Sequence, residues 1–286
     1  MKPTRKQIWT IAYPILISLL MENMIGLTDT AFLGRVGEVE LGASALGSVY
    51  YLVIFMLGFG FGIGAQILIA RRNGEKAYAL IGPLFQQGLL FLLSLATVMF
   101  VISHTFTPMV LRSLISSDEV YEAAVSYTNW RVFGFFFAFV AIMFRAFFVG
   151  ITNTKTLTLN SIVMVLSNVV LNYVLVFGKL GLPAMGIAGA AIASSASEMI
   201  SMVFFIVYTR LRIDHRKYGL FRFAGFSSKL LRGMLNVSVW TMIQMFVAIS
   251  TWFFFFIAVE HLGERPLAVT NIIRSVSGIV FVIVSS

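Results

Sequence analysis

Asp29 lies inside an apolar stretch that ends in Gly34-Arg35-Val36-Gly37-Glu38, and a carboxylate in such a place needs a partner, a bound cation or a proton. At the centre of a membrane helix an aspartate is unfavourable by about 2.5–3.5 kcal/mol, so ionisable residues within spans are functional candidates. Asn168 and Asn172 stand four apart and therefore share a helix face. Ser194 lies in the following apolar run at a comparable depth. Brought to one level, these four would offer one carboxylate and several neutral oxygens. That set suits a hard monovalent cation, with sodium held by Asp29, Asn168 and Asn172, or a proton on a hydrogen-bonded carboxyl. The same side chains also suit plain interhelical hydrogen bonding, and spacing leaves both readings open.

A second level sits deeper. Glu22 precedes Asp29 by seven residues, nearly the same face two turns away, and Glu198 follows Ser194 by one turn. Both approach the bilayer middle, where they could neutralise a cationic organic substrate. Arg131 lies at a similar depth, so a buried salt bridge from Glu22 to Arg131 is the competing expectation. Arg145, near the end of its span, can snorkel to the interface. No catalytic residues are expected. His104, His215 and His261 are far apart and lack metal-ligand spacing. Neither a phosphate-cradling Gly-Lys-Ser/Thr loop nor a Gly-x-Ser-x-Gly elbow is present. No cofactor is expected, and energy for any transport must come from an ion gradient of H+ or Na+.

The elements that must position these residues follow from composition. Hydrophobic residues make up 59% and charged residues 12%, with mean hydropathy +0.92, which excludes an ordinary soluble domain. Cysteine is absent, so no disulfide framework or thiolate site exists. Windows of about 20 apolar residues place seven complete spans at 8–33, 41–70, 80–103, 121–149, 156–177, 185–208 and 230–259, with an eighth opening near Leu267. The first is too long for a signal-peptide core and carries no cleavage signal. Backbone groups must be satisfied inside lipid, so runs this continuous are helices. The expected fold is all-α, a polytopic membrane helical bundle in a lipid bilayer.

Lys2, Arg5 and Lys6, then Arg71, Arg72 and Lys76, then Lys155, then Arg210, Arg212, Arg216, Lys217, Arg222, Lys229 and Arg232 supply fourteen of the 21 lysines and arginines. The alternate loops hold Arg35, Arg112, Lys179 and Arg265. This split places the N-terminus in the cytoplasm. It also accounts for the net charge of +9 without nucleic acid, which is not an expected partner.

Val36-Gly37-Glu38-Val39-Glu40-Leu41-Gly42-Ala43 is echoed by Leu262-Gly263-Glu264-Arg265-Pro266-Leu267-Ala268-Val269. Six spans separate the copies, as in transporters built from two parallel halves. The expected division is a six-helix N-terminal lobe at 1–209, a basic cytoplasmic linker at 210–229 and the first two helices of a second lobe at 230–286. On that reading the second lobe is cut off at Ser286. Gly58, Gly60, Gly62 and Gly64, and on span six Gly186, Gly189, Ala190, Ala193, Ser194 and Ser197, allow close helix approach. Pro14 is a candidate hinge.

Ala12-Tyr13-Pro14 with Asp29-Thr30-Ala31-Phe32-Leu33-Gly34-Arg35-Val36-Gly37 resembles the first helix of the multidrug and toxic compound extrusion (MATE) family. Gly150-Ile151-Thr152-Asn153-Thr154-Lys155, residues 168–178, and Gly181-Leu182-Pro183-Ala184-Met185-Gly186-Ile187-Ala188-Gly189-Ala190-Ala191 resemble its fourth-to-sixth-helix pattern, in order along the whole chain. The resemblance implies twelve helices in two lobes, alternating access, and export of organic cations or drugs in exchange for sodium ions or protons across an inner (plasma) membrane. It implies that Asp29, Asn168, Asn172 and Ser194 occupy the N-lobe cation site. Many members carry an aspartate where Asn172 stands, so one carboxylate here favours single-proton coupling or a weaker sodium site. The remainder of the C-lobe would be a required partner. A lipid-linked oligosaccharide flippase of related architecture and a non-transporting assembly subunit are the alternatives.

Overall fold

The computed structural model describes residues 5–221 and 225–285, with side-chain environments for 13–221 and 225–278. Lys2, Arg222 and Ser286 therefore lie outside the described residues, as do the side chains of Arg5 and Lys6. The described residues are helical throughout: α1 Arg5–Leu33, α2 Glu38–Gly74, α3 Ile81–Leu114, α4 Asp118–Arg131, α5 Gly134–Gly150, α6 Lys155–Phe177, α7 Gly186–Arg212, α8 His215–Tyr218, α9 Ser228–Glu260 and α10 Glu264–Ser285. Among the described residues six helices are long and apolar enough to cross a membrane, and α4 with α5, bent by 50° at their break, passes the same test as a pair. The polytopic bundle expected from hydropathy is present.

Two span expectations need correction. The stretch 121–149 is not one straight helix but breaks between Arg131 and Gly134. Inside lipid the backbone groups freed at such a break need new partners. Ser195 Oγ of α7 supplies them, lying 3.3 Å from the Trp130 carbonyl and 3.4 Å from that of Arg131. The second correction concerns Arg71 and Arg72, which sit on the last turn of α2 rather than in a loop. α2 runs for 37 residues, about 55 Å at 1.5 Å per residue, so it outreaches a hydrocarbon core of about 30 Å.

Apart from Arg145, helix α5 is apolar, because α2, α3 and α7 enclose it. Phe135, Phe139, Phe147 and Phe148 are fully buried there. Phe144 and Phe148 stack on Phe205 of α7 with ring centroids 5.8 and 5.6 Å apart. α6 ends at Gly178, whose φ of 65° is left-handed, and a side chain there would also strike the Ala184 backbone. This turn folds α7 back beside α6.

α2 packs along α9 through its glycines. A Cβ on Gly60 would stand 2.6 Å from Met242 Cα, and Ser238 Oγ reaches the Phe61 carbonyl at 3.3 Å. Gly60→Val is therefore expected to push α9 away and to destabilise the protein by about 1–3 kcal/mol, the usual overpacking cost. Gly233→Ala, where a Cβ meets nothing within 4 Å, should leave the melting temperature unchanged or slightly raised. Thermal unfolding in detergent compares the two.

The basic segment 210–229 is strapped down. Gln86 Nε2 of α3 donates to the Leu220 carbonyl at 3.1 Å, and Gln87 Nε2 to that of Gly225 at 2.6 Å. Tyr218 of α8 packs edge-on against Tyr78 and Phe147. At the far end of α9, Glu260 is buried and accepts N–H groups from Ser116 at 3.0 and 3.1 Å and from Ser117 at 3.0 Å. Its carboxylate thereby joins α9 to the start of α4.

Candidate functional site

Three helices bring the four sequence-selected residues together. Asp29 comes from α1, Asn168 and Asn172 from successive turns of α6, and Ser194 from α7, which the Gly178 turn lays antiparallel to α6. Asn172 Nδ2 donates to Asp29 Oδ1 at 2.7 Å, and Ser194 Oγ donates to Asp29 Oδ2 at 2.8 Å. Asn168 Nδ2 lies 3.4 Å from Asp29 Oδ1 and 3.3 Å from Ser194 Oγ. Both asparagines are 0% exposed.

The carboxylate is held by neutral donors alone. Among the described residues Asp29 forms no ion pair with a lysine or arginine. Asp29 is only partly buried, yet a charge so placed within a span lacks the ion-pair partner that normally offsets its desolvation. The same cluster holds two buried oxygens without a hydrogen-bond partner, Asn168 Oδ1 and Asn172 Oδ1. Buried polar atoms are rarely left unsatisfied, so these oxygens are spare acceptors beside an uncompensated carboxylate. Either a proton on Asp29 or a sodium ion taking the carboxylate and the amide oxygens fits this donor set.

Glu22, Arg131 and Glu198 pair differently from the sequence expectation. Glu22 does not meet Arg131. It accepts from Arg145 Nη1 at 2.6 Å and from Ser18 Oγ at 3.3 Å, so Arg145 is an ion-pair partner rather than a snorkelling residue. The Glu22 side chain stays 33% exposed, next to a small crevice lined by Phe59, Gly62, Gln66 and Ile142. Arg131 instead grips Glu198 with both guanidinium arms, at 2.8 and 2.6 Å. The physical reason is the break after Arg131. It turns that side chain towards α7, while Arg145, on the far side of the bend, faces α1.

Tyr51, unread in the sequence, completes the Arg131–Glu198 group. Its hydroxyl donates to both Glu198 oxygens at 3.1 and 2.9 Å, and its ring lies 3.5 Å beneath the Arg131 guanidinium. Pro14 sits within continuous α1. Its ring removes the hydrogen bond that the Thr10 carbonyl would otherwise accept. The Pro14 carbonyl itself accepts from Thr158 Oγ1 of α6 at 2.9 Å.

Residues 14–174, more than half of the chain, match the MatE family model. A probable multidrug resistance protein NorM from Mannheimia succiniciproducens is 26% identical over 217 residues, covering 76% of this chain and 46% of that protein. The corresponding protein of Pasteurella multocida is 24% identical over 286 residues, covering 99% and 61%. The chain thus spans roughly half to three-fifths of the length of these curated relatives. Among solved structures, a eukaryotic MATE transporter matches with TM-score 0.81 at 20% identity, over 96% of this chain and 61% of that one. An inward-facing multidrug resistance MATE family transporter of the MOP superfamily matches with TM-score 0.76 at 20% identity, over 96% and 63%. At such identities the structures speak for the fold alone. The family model carries the assignment further, and on it the chain belongs to the MatE (MATE) family of transporters.

Proposed function

We propose that this chain carries the ion-coupling part of a cation-coupled antiporter that exports organic cations or drugs across the inner (plasma) membrane by alternating access. The observation that carries the reading is Asp29, a partly buried carboxylate with neutral donors, two buried amide oxygens left spare beside it and, among the described residues, no cationic side chain paired with it. The site is one positive charge short, and H+ or Na+ supplies it. In the free state the two asparagine amides point N–H groups at the carboxylate. When sodium enters, their oxygens turn towards the ion; when a proton enters, the carboxyl itself becomes a donor. Either event changes how tightly α1 is held to α6 and α7. Pro14 is the hinge at which α1 yields, since the helix there already lacks one backbone bond.

The same reading divides the protein into a six-helix lobe at 1–209, the strap at 210–229 and the start of a second lobe at 230–286. It places the N-terminus in the cytoplasm, on the side where the basic residues gather. Glu22, a third exposed, offers the organic cation a negative group once Arg145 releases it. The test is transport by the whole protein in proteoliposomes loaded with a fluorescent organic cation. An imposed proton or sodium gradient should drive efflux; if neither gradient does, antiport is wrong.

One observation favours a second reading, a lipid-linked oligosaccharide flippase. Arg274 of α10 has Asn271 Oδ1 at 3.0 Å and Ser48 Oγ at 3.4 Å as partners, and its Nε is buried without one. That guanidinium could take an anionic headgroup. Headgroup translocation without gradient-driven efflux of cations would favour this alternative.

A further inference from the structure

Asn168 and Asn172 are not alone in leaving buried oxygens unsatisfied. Asn160 Oδ1 on α6 and Thr209 Oγ1 on α7 are also buried without a partner, and the Asp29 cluster does not use them. Asn160 lies eight residues before Asn168, about 12 Å along the helix. Its Nδ2 donates to Ser201 Oγ of α7 at 2.8 Å. Turning the amide over only exchanges which end lacks a partner, so the deficit is a property of the site.

The facing side of α7 is polar along the same length. Ser194, Ser197 and Ser201 follow at spacings of three and four, share one face, and are all buried. Ser197 Oγ donates to the Ser194 carbonyl at 2.8 Å. From α1, Ser18 Oγ meets Ser161 Oγ at 2.6 Å. Beyond Ser201 the next turn of α7 carries the buried Phe205, so the polar seam ends at Asn160 and Ser201. Polar groups within spans turn to the bundle interior or to water. Orphaned buried acceptors beside hydroxyls are the sites that ordered water fills.

We propose that the seam between α1, α6 and α7 binds a file of water molecules running from Asp29 to Asn160 and Ser201, and that the coupling cation travels along it. The path rests on the reading of Asp29 as the coupling site; the hydration does not. It leads from the Asp29 carboxylate towards the end of the bundle where Lys155 and Arg210 lie, separate from the crevice beside Arg145.

These 286 residues contain no cysteine, so once any cysteine elsewhere in the whole protein is replaced by serine, a thiol introduced here reports cleanly on hydration. Ser201→Cys and Ser197→Cys, made singly in the whole protein in proteoliposomes, are exposed to silver ion and then denatured and labelled with maleimide. Silver reaches thiols in water-filled paths, so both should lose maleimide labelling completely. Val170→Cys, on a 60% exposed position of α6 facing lipid, should keep it. Asn160→Leu should slow coupled efflux about tenfold, equal to about 1.4 kcal/mol of barrier, with equilibrium binding of the coupling ion at Asp29 unchanged. Thiols as silent as Val170→Cys, or an unchanged efflux rate in Asn160→Leu, overturn the inference. Reactive thiols in a protein whose efflux ignores both gradients leave the water file standing while the coupling reading falls.

Discussion

Replacing Asp29 by asparagine is expected to bring gradient-driven efflux down to background without lowering the amount of protein in the membrane. The substitution keeps the size and planar shape of the side chain. Its amide oxygen can accept from Asn172 and its amide nitrogen can donate to Ser194, once that hydroxyl turns. What it removes is the charge, and with it the one group at the site that takes up and releases a cation. Coupling free energies between two ligands are typically about 1–3 kcal/mol, or about 5- to 150-fold in affinity, and all of that coupling should vanish. Stability should hold or rise, because a charge held within the span by neutral donors is gone. Efflux that persists under the same gradient would sink the assignment of Asp29.

The second large effect is expected at the bend between α4 and α5. Glu198→Ala leaves the Arg131 guanidinium buried without a carboxylate, and breaking a buried pair in this way costs about 3–5 kcal/mol. The loss should be towards the upper end, because the contact is a two-armed one and the Tyr51 hydroxyl loses both of its acceptors. The double variant Arg131→Met with Glu198→Leu should recover most of it, since an apolar pair of similar volume leaves no charge behind. Thermal unfolding of both variants decides the matter. A Glu198→Ala protein that melts with the unaltered one would remove the pair from the support of the bend.

Where helices are straight, counting residues from their ends was enough to group the four side chains of the Asp29 cluster. Asn168 and Asn172 share a face by spacing, and the short turn at 178–185 puts Ser194 opposite them, so depth arithmetic was enough to bring four residues to one level. The same arithmetic failed for Arg131. Arg131-Val132-Phe133-Gly134 carries no strong breaker apart from one glycine, and the partner that stabilises the break, Ser195, stands on another helix. A hydropathy window sees neither. Helical class was legible because lipid imposes it on any spanning sequence. The partners of Glu260 were not, since Ser116 and Ser117 are 144 and 143 positions away. Gln86 and Gln87 did carry a signal: two adjacent amides in an apolar run must find acceptors, and they find the carbonyls of the strap. Asn160 carried one too, on the polar side of α6 below Asn168.

The buried Glu260 makes α9 and the first turn of α4 dependent on each other. Three contacts from the Ser116 and Ser117 amides end on its carboxylate, while Ser117 Oγ donates to Glu264 Oε1 at 2.6 Å. Parting α9 from α4 strips a helix terminus of its acceptor at the moment it frees an anion. If water enters the widening gap as fast as it forms, the exchange of one acceptor for another is nearly even. If the gap opens dry, a bare carboxylate and unpaired amides face each other's absence. Separation at this end of the bundle must therefore wet as it widens, and a hydrophobic plug placed there would hold the two helices shut without adding a single bond.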